Sequence, residues 1–254
     1  MKLCIKEITT DKHTIYCEYS AKEYVTFEFR LQPIVNPLDY KTFAFEVLSH
    51  LVNTSGEELD NEDFFELIDD EFIKEIFLCQ LHCFLPFINT HNALLSFNLP
   101  SVCLTDDVFV QQVIEVINCP IAIEITCIDS IKSLNKAKGN ITKLKKSGVS
   151  LWLDDYHHKD SLKTAALQSV EWDIVKLDRE YLYYDDSLEM INLLIGLVSF
   201  HCDNIILEGV ESDSQRVGFL NRGVYHQGYH YCYPLSLNEA IELLDFKQIE
   251  AYTA

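Results

Sequence analysis

The chain has 254 residues, 48% of them hydrophobic, with 20 basic against 40 acidic side chains and a formal charge of −20. That apolar share can bury a substantial core and excludes global disorder. The negative charge argues against a nucleic-acid duplex or an anionic membrane as the main partner, because both would be repelled. An anionic small substrate stays compatible where metal ions reverse the local field.

No apolar run approaches the roughly 18 residues of a membrane span. Met1-Lys2-Leu3-Cys4-Ile5-Lys6-Glu7 turns charged before a leader core forms, so a cytoplasmic protein is expected. The nine cysteines are scattered. Cys79 and Cys83 stand four apart without a matching pair at zinc spacing, and the set is expected to be reduced core thiols.

Residues 1–26 alternate loosely, as in Thr14-Ile15-Tyr16-Cys17-Glu18-Tyr19, which predicts an N-terminal hairpin or added strands. Residues 27–254 carry no linker, repeat or composition shift and are expected to form one domain. A first barrel strand is predicted over Phe27–Val35, ended by Asn36-Pro37. The acidic stretch from Glu57 to Asp63 reads as a solvated helix start. A helical region over Asn61–Asn89, broken near Asp69-Asp70, follows from the spacing of Phe72, Ile73, Ile76, Phe77, Leu81 and Phe84. Further helices are predicted over Asp106–Ile117, Ser130–Ser147, Arg179–His201, Ser212–Asn221 and Ser236–Leu244, with Asp106 and Ser236 as N-caps.

Between these helices, apolar runs end on polar groups. They close on Glu46, Asn98, Glu124, Asp154-Asp155, Lys176, Glu208 and Gln227. Seven such endings at helix-length intervals suggest parallel strands converging on one polar site, as at the C-terminal mouth of a (β/α)8 barrel. Strand parity puts Glu46 on the face of Ala44, Glu124 on that of Ala122, Asn98 on that of Ser96 and Lys176 on that of Ile174. In several strands the candidate thus shares a face with smaller or more polar residues, while bulkier ones face the helices. Adjacent aspartates are costly to hold close without a cation. An isolated Asp-Asp pair is most often a helix N-cap with a surface neighbour. In company with Glu46, Asn98, Glu124 and Glu208, the pair suits two Mg2+ or Mn2+ ions with Asp154 bridging.

The ordered set of motifs resembles the EAL-domain cyclic di-GMP phosphodiesterases. Leu31-Gln32-Pro33-Ile34-Val35 and Phe45-Glu46-Val47-Leu48 are similar to that family's Gln-Pro-Ile and Glu-Ala-Leu motifs. The likeness continues through Ser96-Phe97-Asn98-Leu99, Glu124-Ile125-Thr126, Leu153-Asp154-Asp155, Val175-Lys176-Leu177-Asp178, Glu208-Gly209-Val210-Glu211 and Gln227-Gly228-Tyr229. The resemblance implies an α/β fold, a modified (β/α)8 TIM-like barrel with one reversed strand, here with a short N-terminal extension. It implies metal-dependent cleavage of cyclic di-GMP to linear pGpG. Glu46, Asn98, Glu124 and Asp154 would hold one ion, and Asp154, Asp155 and Glu208 the other. Lys176 would position the attacking water, Glu211 and Gln227 would complete the water network, and Gln32 would help hold the substrate. A homodimer and a regulatory protein partner are further expectations, with any input signal arriving through partners or expression.

Three departures bear on activity. His50 stands at the substrate-binding position where the family has arginine, and Cys127 stands where a glutamate braces the loop after the aspartates. That loop reads Asp154-Asp155-Tyr156-His157-His158-Lys159, without the glycines of Asp-Asp-Phe-Gly-Thr-Gly. It is expected to take another path and to weaken the second ion site more than the first. The rival reading is a catalytically inactive EAL-like protein that binds cyclic di-GMP or a regulatory partner. Against it stand the many mutually repelling carboxylates, for which a pure scaffold has no physical need.

Overall fold

The computed structural model describes residues 4–9, 14–20, 23–220 and 224–246. Both chain ends, and Asn221 at the end of one predicted helix, lie outside the described residues. The first long strand sets the architecture. After β1 (Cys4–Thr9) and β2 (Thr14–Ser20) comes β3 (Glu23–Val35), thirteen residues long, and then β4 (Thr42–Asn53). Short β5 (Glu58–Leu59) precedes α1 (Asn61–Leu67) and α2 (Asp70–His91), and from there strands and helices alternate. They are β6 (Leu95–Leu99), α3 (Asp107–Val116), β7 (Ile121–Ile125), α4 (Ile131–Lys146), β8 (Val149–Tyr156) and α5 (Ser161–Ser169). The series ends with β9 (Ile174–Leu177), α6 (Ser187–Val198), β10 (Ile205–Leu207), α7 (Asp213–Phe219), β11 (Tyr225–Gln227) and α8 (Leu237–Phe246).

Strands β4 and β6 to β11 run parallel to their neighbours, and β3 closes the ring antiparallel to both β4 and β11. The reversed strand of this TIM-like barrel is therefore the first. Its early half also carries the β1–β2 hairpin, through pairs from Thr14 with Glu28 to Ser20 with Glu23. Parallel pairing needs a crossover of a dozen or more residues, which the intervening helices supply.

The helices follow their predicted caps. Asp106 accepts from the N–H groups of Val108 and Phe109 and receives Lys74 Nζ of α2 at 2.7 Å, tying α2 to the start of α3. The break predicted near Asp69-Asp70 is real, since Asp69 caps α2 by accepting from Phe72 N–H. Two expectations need correction. The helix predicted over Arg179–His201 is a 3-10 turn (Arg179–Tyr183) followed by α6, parted at Tyr184-Asp185-Asp186. Helix α5, nine residues capped by Asp160, was not anticipated.

Most of the core lies between the strands and the outer helices. A second apolar cluster of Ile34, Ala44, Ala122, Trp152, Ile174 and Ile206 combines residues that share strand faces with the polar candidates. The expectation of small residues on that face holds for Ala44, Ala122 and Ser96 and fails for Trp152. One indole fills space that the alanines leave, and its Nε1 donates to Ser150 Oγ at 2.7 Å. The thiols also divide: Cys79, Cys83, Cys103 and Cys202 are buried, but Cys127 is exposed, contrary to the core reading.

Candidate active site at the barrel mouth

Each candidate on the parallel strands except Glu46 sits near or just beyond a strand's C-terminal end; Glu46, expected to close its strand, lies in the first half of β4, which runs on to Asn53. The register staggers them: Asn98 pairs with Glu124, but Glu46 pairs with Ser96 and Lys176 with Ile206, each two residues short of the neighbouring strand's candidate. At the centre is Lys176, 1% exposed. Its Nζ lies 2.7 Å from Glu124 Oε2, 2.8 Å from Glu208 Oε1, 2.9 Å from Asp154 Oδ1 and 3.1 Å from Glu46 Oε2. Glu46 is held further by Asn98 Nδ2 donating to Oε1 at 2.8 Å and Gln227 Nε2 donating to Oε2 at 2.7 Å. Gln227 reaches back to Gln32 Oε1 at 3.2 Å, which joins the reversed strand to the cluster.

Asp155 joins by a local irregularity. Neighbouring strand residues face opposite ways, so a regular β8 would turn Asp155 from Asp154. The β8–β9 register instead shifts between Leu153 and Tyr156, and Asp155 takes a left-handed φ of 45°. Aspartate is among the few non-glycine residues enriched there. Ligand oxygens of Asp154, Asp155 and Glu208 then lie within 4.8 Å of one another.

Two glycines permit this packing. A Cβ on Gly209, directly after Glu208, would stand 2.4 Å from Arg179 Cβ, and one on Gly228, directly after Gln227, 2.3 Å from the Val210 backbone. Sequence reasoning gave neither glycine a role, although each follows a strand-end polar residue.

The electrostatics are unbalanced. Burial, then the Glu46 charge, pushes the Glu124 carboxyl well above its usual range, with Lys176 opposing. Burial likewise raises Glu208 against the pull of Lys176. Burial disfavours the Lys176 ammonium, but the surrounding carboxylates outweigh it and hold its pKa well above normal. Several buried acceptors lack any donor among the described residues: Asn98 Oδ1, Glu124 Oε1, Glu208 Oε2 and Gln227 Oε1. Asp154 Oδ1, although within ion-pair distance of Lys176, receives no well-directed hydrogen bond. Such orphans are expensive in a water-only account. A hard divalent cation, which takes oxygen ligands, suits this donor set.

Two candidates lie outside the cluster. His50 Nδ1 is 3.1 Å from Glu58 Oε1. Glu211 is exposed, its backbone N–H donating to Gln215 Oε1 at 2.8 Å, and no contact joins its carboxylate to the cluster among the described residues. A cleft of about 420 Å3, lined by Trp172, Asp173, Phe200 and Asn204, sits at the other end of the barrel, where β9 and β10 begin.

Residues 20–234 match the sequence profile of the EAL domain. No curated protein matches the chain. Among solved structures, an EAL domain protein from Listeria monocytogenes EGD-e superposes with a TM-score of 0.72 at 23% identity, covering 87% of this chain and 93% of that one. The FimX EAL domain from Pseudomonas aeruginosa, bound to c-di-GMP, gives 0.68 at 21%, covering 82% and 90%. The PaMucR phosphodiesterase in its c-di-GMP complex gives 0.69 at 16%, covering 84% and 94%. At these identities the likeness to solved structures carries the fold. Among the described residues no helix is long and apolar enough to cross a membrane.

Proposed function

Because the chain belongs to the EAL domain family, we propose that it binds cyclic di-GMP at this barrel mouth and hydrolyses it to linear pGpG. The observation that carries the reading is the charge imbalance. Four carboxylates (Glu46, Glu124, Asp154 and Glu208) surround one ammonium, Lys176, and Asp155 adjoins them, so that with every carboxylate ionised four negative charges are in excess. Two divalent ions would neutralise them. Glu46, Asn98, Glu124 and Asp154 would hold one Mg2+ or Mn2+, and Asp154, Asp155 and Glu208 the other. When bound, such a pair clamps the attacking and leaving oxygens of a phosphoryl displacement.

The chain's own residues do the rest. Lys176 keeps its proton on Nζ and orients the water that adds to phosphorus. Gln227 Oε1, buried and without a donor, is free to accept a hydrogen from that water while Nε2 holds Glu46. Gln32 fixes Gln227 and faces the substrate. A product with a 5′-phosphate requires the P–O3′ bond to break, the 3′ oxygen leaving with a proton as a hydroxyl. His50 and Glu211, outside the cluster, are assigned no part at the reacting phosphate.

One observation favours the rival reading, binding without turnover. His50 is engaged with Glu58, where the resemblance leads one to expect an arginine holding substrate. A homodimer, a regulatory protein partner and a cytoplasmic location remain part of the proposal. Incubating the protein with cyclic di-GMP and Mn2+ and resolving the products separates the readings. Formation of pGpG supports hydrolysis, and bound nucleotide recovered intact supports the rival.

A further inference from the structure

The loop after Asp155 has no glycine, yet it is held by a set of rings. His157 stacks on Tyr181 with centroids 4.6 Å apart and planes 12° apart, and His158 stacks on His157 at 4.7 Å. Tyr184 meets Tyr181 edge-on at 5.9 Å. Hydrogen bonds lock the rings. The backbone N–H of His158 donates to Tyr181 Oη at 2.7 Å, and His158 Nδ1 lies 2.8 Å from the same oxygen. Lys159 Nζ donates to Tyr184 Oη at 3.0 Å, and Tyr184 Oη donates to Glu180 Oε1 at 2.7 Å. Lys163 Nζ, from α5, donates to the backbone carbonyl of Asp155 itself at 3.1 Å.

Tyr181 is fully buried and His157 is 7% exposed, so the stack is part of the packed body. Its anchor is the 3-10 turn Arg179–Tyr183, directly after the strand that carries Lys176. On the other side Cys127 is exposed, and no hydrogen bond or ion pair joins its side chain to the loop among the described residues. The left-handed backbone of Asp155 is costly for a residue with a Cβ and persists only where the surroundings over-determine it. The stack and the Lys163 bond are the contacts that do so.

We propose that Tyr181 is a positioning residue: through its stack on His157 and its bond to the His158 amide, it holds Asp155 at the second ion site. The inference rests on the two-ion reading above and replaces a brace on the Cys127 side with one from the β9 side.

Two measurements on the whole chain test it. In the first, without added metal, Tyr181→Phe keeps the ring and removes the acceptor, so exchange of the His158 amide with solvent should speed up by roughly an order of magnitude. In the second, Mn2+ is titrated calorimetrically into wild type, Tyr181→Phe and His157→Ser. The weaker of two wild-type sites should lose roughly ten- to a hundredfold in affinity in both variants, with the tighter site nearly unchanged. A merely structural lesion would not divide the two sites in this way. If Tyr181→Phe does not fold, His157→Ser decides alone. Wild-type affinity at both sites in the folded variants overturns the proposal and leaves the two-ion reading standing. Wild type taking up fewer than two ions overturns that reading and the proposal with it.

Discussion

Lys176 Nζ and Glu46 Oε2 stand 3.1 Å apart although 130 residues separate them along the chain. Closure of the barrel makes this contact, since β4 and β9 are not neighbours in the sheet order and meet only across the barrel. The same ammonium serves Glu124, Asp154 and Glu208.

Lys176→Met should therefore destabilise the protein without added metal by about 3 kcal/mol, the scale for breaking a buried ion network. Proton uptake by Glu124 or Glu208 would absorb part of the cost. Mn2+ should then stabilise the variant more than it stabilises wild type. Urea unfolding with and without Mn2+ checks both, and an unchanged midpoint without metal would contradict the central place given to this lysine.

Glu46→Gln should fold, because the amide keeps the shape of a side chain that three neighbours hold. It should lose the first ion's share of the Mn2+-dependent rise in melting temperature, worth about 2.7 kcal/mol in wild type at a hundredfold excess over that site's Kd. A full Mn2+ shift in the variant would remove Glu46 from the ligand set.

Tyr156 is fully buried and its hydroxyl has no partner among the described residues. An unsatisfied buried hydroxyl costs free energy, so Tyr156→Phe should be neutral or stabilise by about 1 kcal/mol. Clear destabilisation in urea would mean that the hydroxyl is satisfied in solution.

His226 is fully buried, with Nδ1 2.8 Å from Tyr231 Oη and no partner at Nε2 among the described residues. Burial, helped by the nearby Arg216 charge, holds its pKa down at about 3. The unfolded chain takes up this proton near pH 6.5 and the folded chain does not. Stability is thus intact above pH 6.5 and falls as the pH drops towards 3, by about 2 kcal/mol between pH 7 and pH 5. Unfolding of wild type and His226→Gln at both pH values should differ by that amount, and equal losses would contradict it.

Much of this was legible in the sequence for a physical reason. Parallel strands read as apolar runs, so a polar residue near the end of each stands out, as Glu124 and Lys176 do; Glu46 ends its apolar run but not its strand, which continues to Asn53. Helices declared themselves through period and caps, as at Asp106 and Ser236. The reversal of β3 left no local mark, because its alternation fits either direction. It came from the family resemblance. Helix α5 was missed because its nine residues carry only a weak apolar stripe, and Asp160 was its one signal. The pair Asp185-Asp186 marked the break before α6 that the predicted helix ran through. Asp155 was least legible of all. Strand parity would send it away from Asp154, and only the register shift and its left-handed backbone return it to the site.

The central claim is that water, oriented at this carboxylate cluster, attacks the phosphorus of cyclic di-GMP. Its most direct test is turnover in 18O-labelled water with Mn2+, with the product resolved by mass spectrometry and Glu46→Gln as control. The account predicts pGpG carrying 18O in its 5′-phosphate, formed by wild type and absent with the variant. Unlabelled phosphate with 18O in the 3′-hydroxyl, or bound nucleotide that never turns over, would contradict it.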